Sequence, residues 1–448
     1  MTETTVTAKL VRRGLDVSFA SLPDDVVTLA TLCLLDYVSV TFAGLAEPAA
    51  RILREQAIED GRGPCSLIGH SARLSASQAA LVNGTAGHAL DYDDVHMSLP
   101  GHVTVTILPA ILALAEARRL APKDVIASFV AGYETACRIG LLVAPGHYAR
   151  GFHATATVGS FASALACAHL LRLDERRTLY ALGIAGAQAA GLKAQFGTMC
   201  KPLHAGKAAQ NGVLAALLAE RGFDSTPDIL GGTQAFAASM SPDFDLDAAL
   251  APAPNEFHLR DNLFKFHASC YGTHGVIEAV RKLRGLGVTD ASRLISVTAR
   301  VGAVNDKMCN IQDPRTSTEA KFSLRLMCAY AFNDVDTARL DAFDEANIAD
   351  PRIVRAREKV SIVPEQALTM TQAFVTARLD DGREVTAEHD ASLPERDIER
   401  LKVRLRQKAS ALVSPMQGEA KAASFTEGIE RFAASAGIDA VIRGFDVP

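Results

Sequence analysis

Residues 195–212, QFGTMCKPLHAGKAAQNG, place Lys201 directly before Pro202. Pro202 fixes its own φ and biases Lys201 away from helix. His204, Gly206 and Lys207 follow, and then an alanine-rich helix, AAQNGVLAALLAERG. This stretch predicts a lysine on a rigid turn between two helices of small residues. Such a lysine can lose its solvent, and a desolvated lysine can act as a base. The plainer alternative is a surface lysine in a helix–helix loop.

The surrounding composition suits closely packed helices. Hydrophobic residues make up 48% of the 448 residues and charged residues 22%; aromatics are only 6%, and Trp is absent. The formal net charge of -5 excludes an obvious nucleic-acid surface or polybasic membrane patch. The eight cysteines are scattered, without a CxxC pair. The N-terminal MTETTVTAKLVRRG lacks the apolar core of a signal peptide. A reduced, cytoplasmic protein is expected, its cysteines mostly packing residues. The run 26–44 carries Asp36, and the run 103–115 is short and holds Pro109, so neither reads as a membrane span.

Residues 1 to about 260 read as successive helices, including 75–89, 102–120, 122–142, 155–171 and 174–194. The texture then changes. Residues 294–303, 360–363, 372–379 and 384–387 read as strands, with a turn at Asp380-Asp381-Gly382, and 317–332 as a helix. From Pro394 helix returns. The expected fold class is α+β. A large all-helical domain is built from both chain ends, 1–264 and 395–448, with a smaller α+β lid domain, 265–394, inserted.

Three further stretches carry polar chemistry. Residues 83–102, NGTAGHALDYDDVHMSLPGH, gather Asp91, Asp93, Asp94, His88, His96 and His102 between two helices. Clustered acids and imidazoles shift one another's pKa values, as acid–base chemistry requires. They could also ligate a metal, although no standard spacing is present, or simply cap helices. Residues 147–157, HYARGFHATAT, lead into a helix whose N-terminus could hold a carboxylate. Tyr148 and His153 are proton-transfer candidates beside it, or else belong to a capped helix start. Residues 265–274, KFHASCYGTH, supply Lys265, His267, Cys270 and His274 at the domain border, where clefts are common, or pack a helix start. No GxGxxG fingerprint, Walker loop or GxSxG elbow accompanies them.

Taken together, NGTAGHALDYDDVH, TILPAILALAEA after His102, GFHATATVGS, KPLHAGKAAQNG, KFHASCYGTH and AKFSLRLMCAYA resemble the MmgE/PrpD (2-methylcitrate dehydratase) family. They occur in that family's order across nearly the whole chain. The resemblance implies a homodimer and catalysis without metal or organic cofactor. It also implies chemistry next to a carboxylate of a small polycarboxylate: dehydration, decarboxylation or epimerisation. Asp91, His102, His153 and Lys201 fall on positions important in the decarboxylase branch. Val95 stands where that branch has a threonine, Cys270 where it has a histidine, and Val103 where the family usually has proline. These departures tell against cis-aconitate decarboxylation. Tyr148 with Lys201 fits the proton-transfer pair of the iminodisuccinate epimerase branch.

The expectation is therefore a cofactor-independent epimerase, with a hydro-lyase as the alternative and a cis-aconitate-decarboxylase-like lyase behind it. Lys201, Tyr148, His153, His102 and Asp91 are its catalytic candidates, and His96, His88, Lys265 and Cys270 contact substrate. In this scheme the site must stabilise a developing enediolate. A non-catalytic carboxylate-binding protein and a metal-dependent hydrolase are the competing classes.

Overall fold

A computed structural model describes residues 5–438 and 441. Helix dominates it, and strands form small sheets, giving an α+β fold. The chain folds into two compact units. One comprises the chain up to Phe264 together with the chain from Ile398; the other is Lys265–Asp397.

The first unit contains α1 (Val6–Leu15), α2 (Asp24–Gly44), α3 (Pro48–Asp60), α4 (Ala76–Ala89), α5 (Thr104–Arg118), α6 (Pro122–Val143), α7 (Gly146–Ala149), α8 (Ala154–Leu170), α9 (Glu175–Gly186) and α10 (Cys200–Glu220). Two short helices, Phe236–Met240 and Leu246–Leu250, follow, and helices Ile398–Gln417 and Glu419–Glu430 come from the far end of the chain. Between α3 and α4 lies a short hairpin, β1 (Cys65–Leu67) and β2 (His70–Leu74), which was not expected from the sequence. Asn83 on α4 pins it, donating to the Ser66 carbonyl and accepting from the Ile68 amide.

At the centre, α10 packs against α4 and α8. Glycine makes that approach possible. A Cβ built on Gly84 of α4 would lie 2.8 Å from the Cα of Gly206 on α10. Both helices thus cross at bare backbone, which no larger residue permits. α2 and α6 are long and apolar enough to cross a membrane, but both are largely buried within this unit.

The start of α10 corrects the expectation for the Lys201 turn. The helix begins at Cys200 and runs through Lys201, Pro202, His204, Gly206 and Lys207. Pro202 lies in the first turn, where backbone N–H groups have no intrahelical acceptor, so its missing N–H costs nothing. α9 ends at Gly186, eight residues short of the expected 194; the chain then turns through Gly191, whose φ is +147°.

The second unit carries a four-stranded sheet in the order β4–β3–β5–β6, formed by β3 (Leu294–Gly302), β4 (Val360–Glu365), β5 (Gln372–Leu379) and β6 (Glu384–Asp390). β3 and β4 are parallel, and the other pairs antiparallel. Pro364 lies inside β4 rather than closing it, which an edge strand tolerates. Helix His274–Gly285 covers β5 and β6 and packs on Leu324–Phe332. The expected helix 317–332 is two pieces, because Ser323 caps the second by accepting from the Leu326 amide.

Candidate active site

α4 ends just before Asp91, which takes φ +50°. A left-handed residue commonly closes a helix, and Asp is among the few non-glycine residues that adopt it readily. The turn leaves the Asp91 carboxylate 2.7 Å from Lys201 Nζ at the start of α10. The same Asp91 oxygen is 3.4 Å from His102 Nε2. His102 Nδ1 lies 3.0 Å from Asp93 Oδ2. Asp93 Oδ1 in turn holds His88 Nδ1 at 2.9 Å. Lys201, Asp91, His102, Asp93 and His88 therefore form one continuous line of charge and hydrogen bonding.

A second line meets it. His153, at the N-cap of α8, is 2% exposed. Its ring stacks on His88 at 6.1 Å between centroids and meets the edge of Phe196 at 5.0 Å. Its Nδ1 is 3.0 Å from Nδ1 of His204 on α10. Lys201 also lies over Phe196, 5.4 Å from the ring centroid. Tyr148, on α7, is part-buried, with Lys193 Nζ 3.7 Å from its ring centroid and donating to its carbonyl.

The electrostatics separate the roles. Burial would raise Asp93, but His102 and His88 outweigh it and hold the carboxylate well below its usual range. Burial pushes His88 down to about 4, against the pull of Asp93. Burial, with His88 and Lys201 adding repulsion, pushes His153 down to about 2. Both imidazoles are therefore neutral at neutral pH. Burial raises Tyr148, a rise Lys201 opposes and Asp91 reinforces, so its phenol is a proton donor rather than a phenolate. Lys201 Nζ donates to the Asp91 carboxylate at hydrogen-bond distance.

Asp91, His102, His153, Lys201 and His88 thus come together, with Tyr148 close enough to feel Lys201 and Asp91. His96 does not join them. Its Nε2 meets the His258 carbonyl at 3.0 Å and its Nδ1 accepts from the Ser98 amide, so both ring nitrogens serve the fold. Its expected substrate contact is corrected accordingly. In the second unit Lys265 is 1% exposed, and Cys270 Sγ is 3.2 Å from Cys309 Sγ. Asp93, His204, Lys193 and Phe196 were not among the site residues expected from the sequence. His204 carried a usable signal, since it lies three residues after Lys201 on one helix and so shares its face.

Two groups have the makings of a metal site. Ligand atoms of His88, Asp91, Asp93 and His102 lie within 4.8 Å of one another, as do those of His96, Cys137 and His258. The second fits poorly: His96 is committed to backbone, and burial raises the Cys137 thiol far from its thiolate. In the first, a divalent ion on Asp91 would sit beside the Lys201 ammonium, which already supplies the positive charge.

Residues 9–249 match the MmgE/PrpD N-terminal domain and residues 267–433 the MmgE/PrpD C-terminal domain. The chain belongs to the MmgE/PrpD family. It is 27% identical over 381 residues to the cis-aconitate decarboxylase of Aspergillus terreus, covering 80% of this chain and 78% of that one. It is 31% identical over 302 residues to the cis-aconitate decarboxylase-like protein oryM of Aspergillus oryzae, covering 63% of this chain and 62% of that one. The cis-aconitate decarboxylase of Homo sapiens is 30% identical over 310 residues, 65% of this chain and 62% of its own. Within the MmgE/PrpD family these relatives are lyases by name, which gives no specific support to the epimerase branch.

Proposed function

We propose that this MmgE/PrpD protein is a lyase on a small di- or tricarboxylate. On this reading it works without metal or organic cofactor and moves a proton at the carbon next to a carboxylate. The observation that carries the reading is the Lys201–Asp91–His102–Asp93 line beside the neutral His153.

Three features suit an anionic substrate. Lys201 brings a fixed cation, and both α8 and α10 begin at the site, where helix N-termini favour negative charge. His88 Nε2 is buried without a hydrogen-bond partner among the described residues. In the proposed reaction the carbon next to a carboxylate loses a second carboxyl group as carbon dioxide, and the electron pair of the broken bond spreads into the carboxylate that remains. Lys201 stabilises the resulting enediolate. The neutral imidazole of His153, or else His102, then gives the carbon a proton. The depressed Asp93 carboxylate stabilises His102 whenever it carries charge.

A second reading, epimerisation, is favoured by Tyr148. Its protonated phenol feels Lys201 and Asp91 and could return a proton to the opposite face of the carbon. Product analysis in heavy water separates the two. A decarboxylating lyase releases carbon dioxide and leaves deuterium at carbon, a lyase that expels water gives an alkene with no deuterium gained there, and an epimerase returns deuterated substrate of inverted configuration. A tight polycarboxylate ligand recovered unchanged and undeuterated would leave only a binding protein. A homodimer, which rests on the family resemblance, and a cytoplasmic location, which rests on the scattered cysteines, belong to the same proposal; sedimentation at micromolar concentration tests the dimer.

A further inference from the structure

We propose that His204 is a positioning residue that feeds protons from solvent to His153, the two imidazoles forming a two-step wire through their facing Nδ1 atoms. This rests on the functional reading above, in which His153 meets substrate.

The geometry defines the wire. Two Nδ1 atoms 3.0 Å apart share one hydrogen when both rings are neutral. Either His204 donates, leaving His153 with its proton on Nε2, or His153 donates, leaving Nε2 bare. These are two tautomeric states of one pair, and each is satisfied at the contact. The His153 backbone is fixed, since its amide donates to the Gly191 carbonyl at 3.0 Å and Phe196 closes on its ring. His204 also packs near Gly191, with ring atoms 3.5 Å from where a Gly191 Cβ would lie. His153 is buried, whereas His204 is only half-buried, so the wire runs from the surface inward.

One passage along it balances as follows. The Nε2 proton of His153 goes to the carbanion, whose electron pair becomes the new C–H bond. The Nδ1 proton of His204 moves to His153 Nδ1, and water gives its proton to His204 Nε2, leaving hydroxide in solvent. Neither ring is cationic before or after. That matters because His153 is poorly placed to hold a charge beside Lys201 and His88. The passage leaves His153 with its proton on Nδ1 and Nε2 bare; once product has left, water in the emptied site gives a proton to Nε2, the shared hydrogen returns to His204 Nδ1, and the His204 Nε2 proton goes back to the hydroxide in solvent.

Two measurements test this. In protein carrying ¹⁵N-labelled histidine, NMR should show scalar coupling between the two Nδ1 atoms across the shared hydrogen, lost in His204→Ala. His204→Ala should slow turnover on a polycarboxylate by about 10- to 100-fold. Free imidazole should restore much of the loss, which a merely structural defect would not allow. Absence of the coupling, an unaffected rate, or a loss that imidazole does not rescue would each overturn the wire. If the coupling is present but the wild type turns over no polycarboxylate, the functional reading fails and the delivery step with it.

Discussion

Lys408 Nζ donates to the backbone carbonyl of Tyr92 at 2.7 Å, tying helix Ile398–Gln417 to the loop that carries Asp91, Asp93 and Asp94. The same ammonium pairs with Asp36 on α2, each side chain only 2% exposed, and lies 4.0 Å from the Tyr92 ring centroid. One buried cation thus fixes the floor of the site from the far end of the chain. Removing one partner of such a pair strands the other charge. Lys408→Met should cost about 3–5 kcal/mol in stability. Adding Asp36→Asn should recover part of it, as denaturant titration of the single and double variants would show. Equal stability of wild type and Lys408→Met would refute this role.

The glycine crossing sets the distance between Lys201 and Asp91. A methyl group on Gly206 would collide with the Leu81 carbonyl and crowd Thr85 on α4. Gly206→Ala should therefore cost roughly 1–3 kcal/mol. It should also lower kcat more than it raises KM, because it separates the helices bearing the two charges. Unchanged kinetics in the folded variant would detach this packing from the site.

Asp94 offers a pH test. Burial, aided by the Asp93 charge, raises its carboxyl to about 6, while Thr104 and Asn262 hold its ionised oxygen. A raised acid contributes stability that is full below its unfolded value, near 3.8, and lost as pH rises through about 6. At pH 8 the ionised group then costs on the order of 3 kcal/mol. Asp94→Asn should gain stability against the wild type between pH 4 and pH 8. Melting curves at the two pH values check this; a pH-independent difference would show that Asp94 titrates normally in the fold.

On the proposed reading the Lys201 ammonium takes the place of a metal on Asp91. Extensive dialysis against a chelator should leave turnover within about twofold of the untreated protein, and elemental analysis should find no stoichiometric divalent metal. A chelator-sensitive activity restored by one metal would instead assign the His88, Asp91, Asp93 and His102 quartet as its ligands.

The fold class was legible because helix and strand periods differ sharply on either side of residue 265, and β5 buries alternate residues as its sequence alternates. The Lys201 turn was misread because Pro202 signals a helix break only beyond the first turn. The hairpin at 65–74 escaped because three- and five-residue strands carry too little pattern. Asp91, His102, His153 and Lys201 were picked out by chemistry and resemblance. Asp93 was named only as one of a cluster and His204 only as a neighbour of Lys201, because their importance lies in pairings that only the fold creates. His96 misled because a histidine bound to backbone looks the same in sequence as one facing substrate.

The most direct measurement is deuterium incorporation at carbon in heavy water, followed by NMR across a panel of small di- and tricarboxylates, for wild type and for Lys201→Met. The wild type should place solvent deuterium on the carbon next to a carboxylate of at least one of them. The folded variant should do so at least about 100-fold more slowly. Full exchange by Lys201→Met, or no exchange by the wild type on any of the panel, would contradict the account.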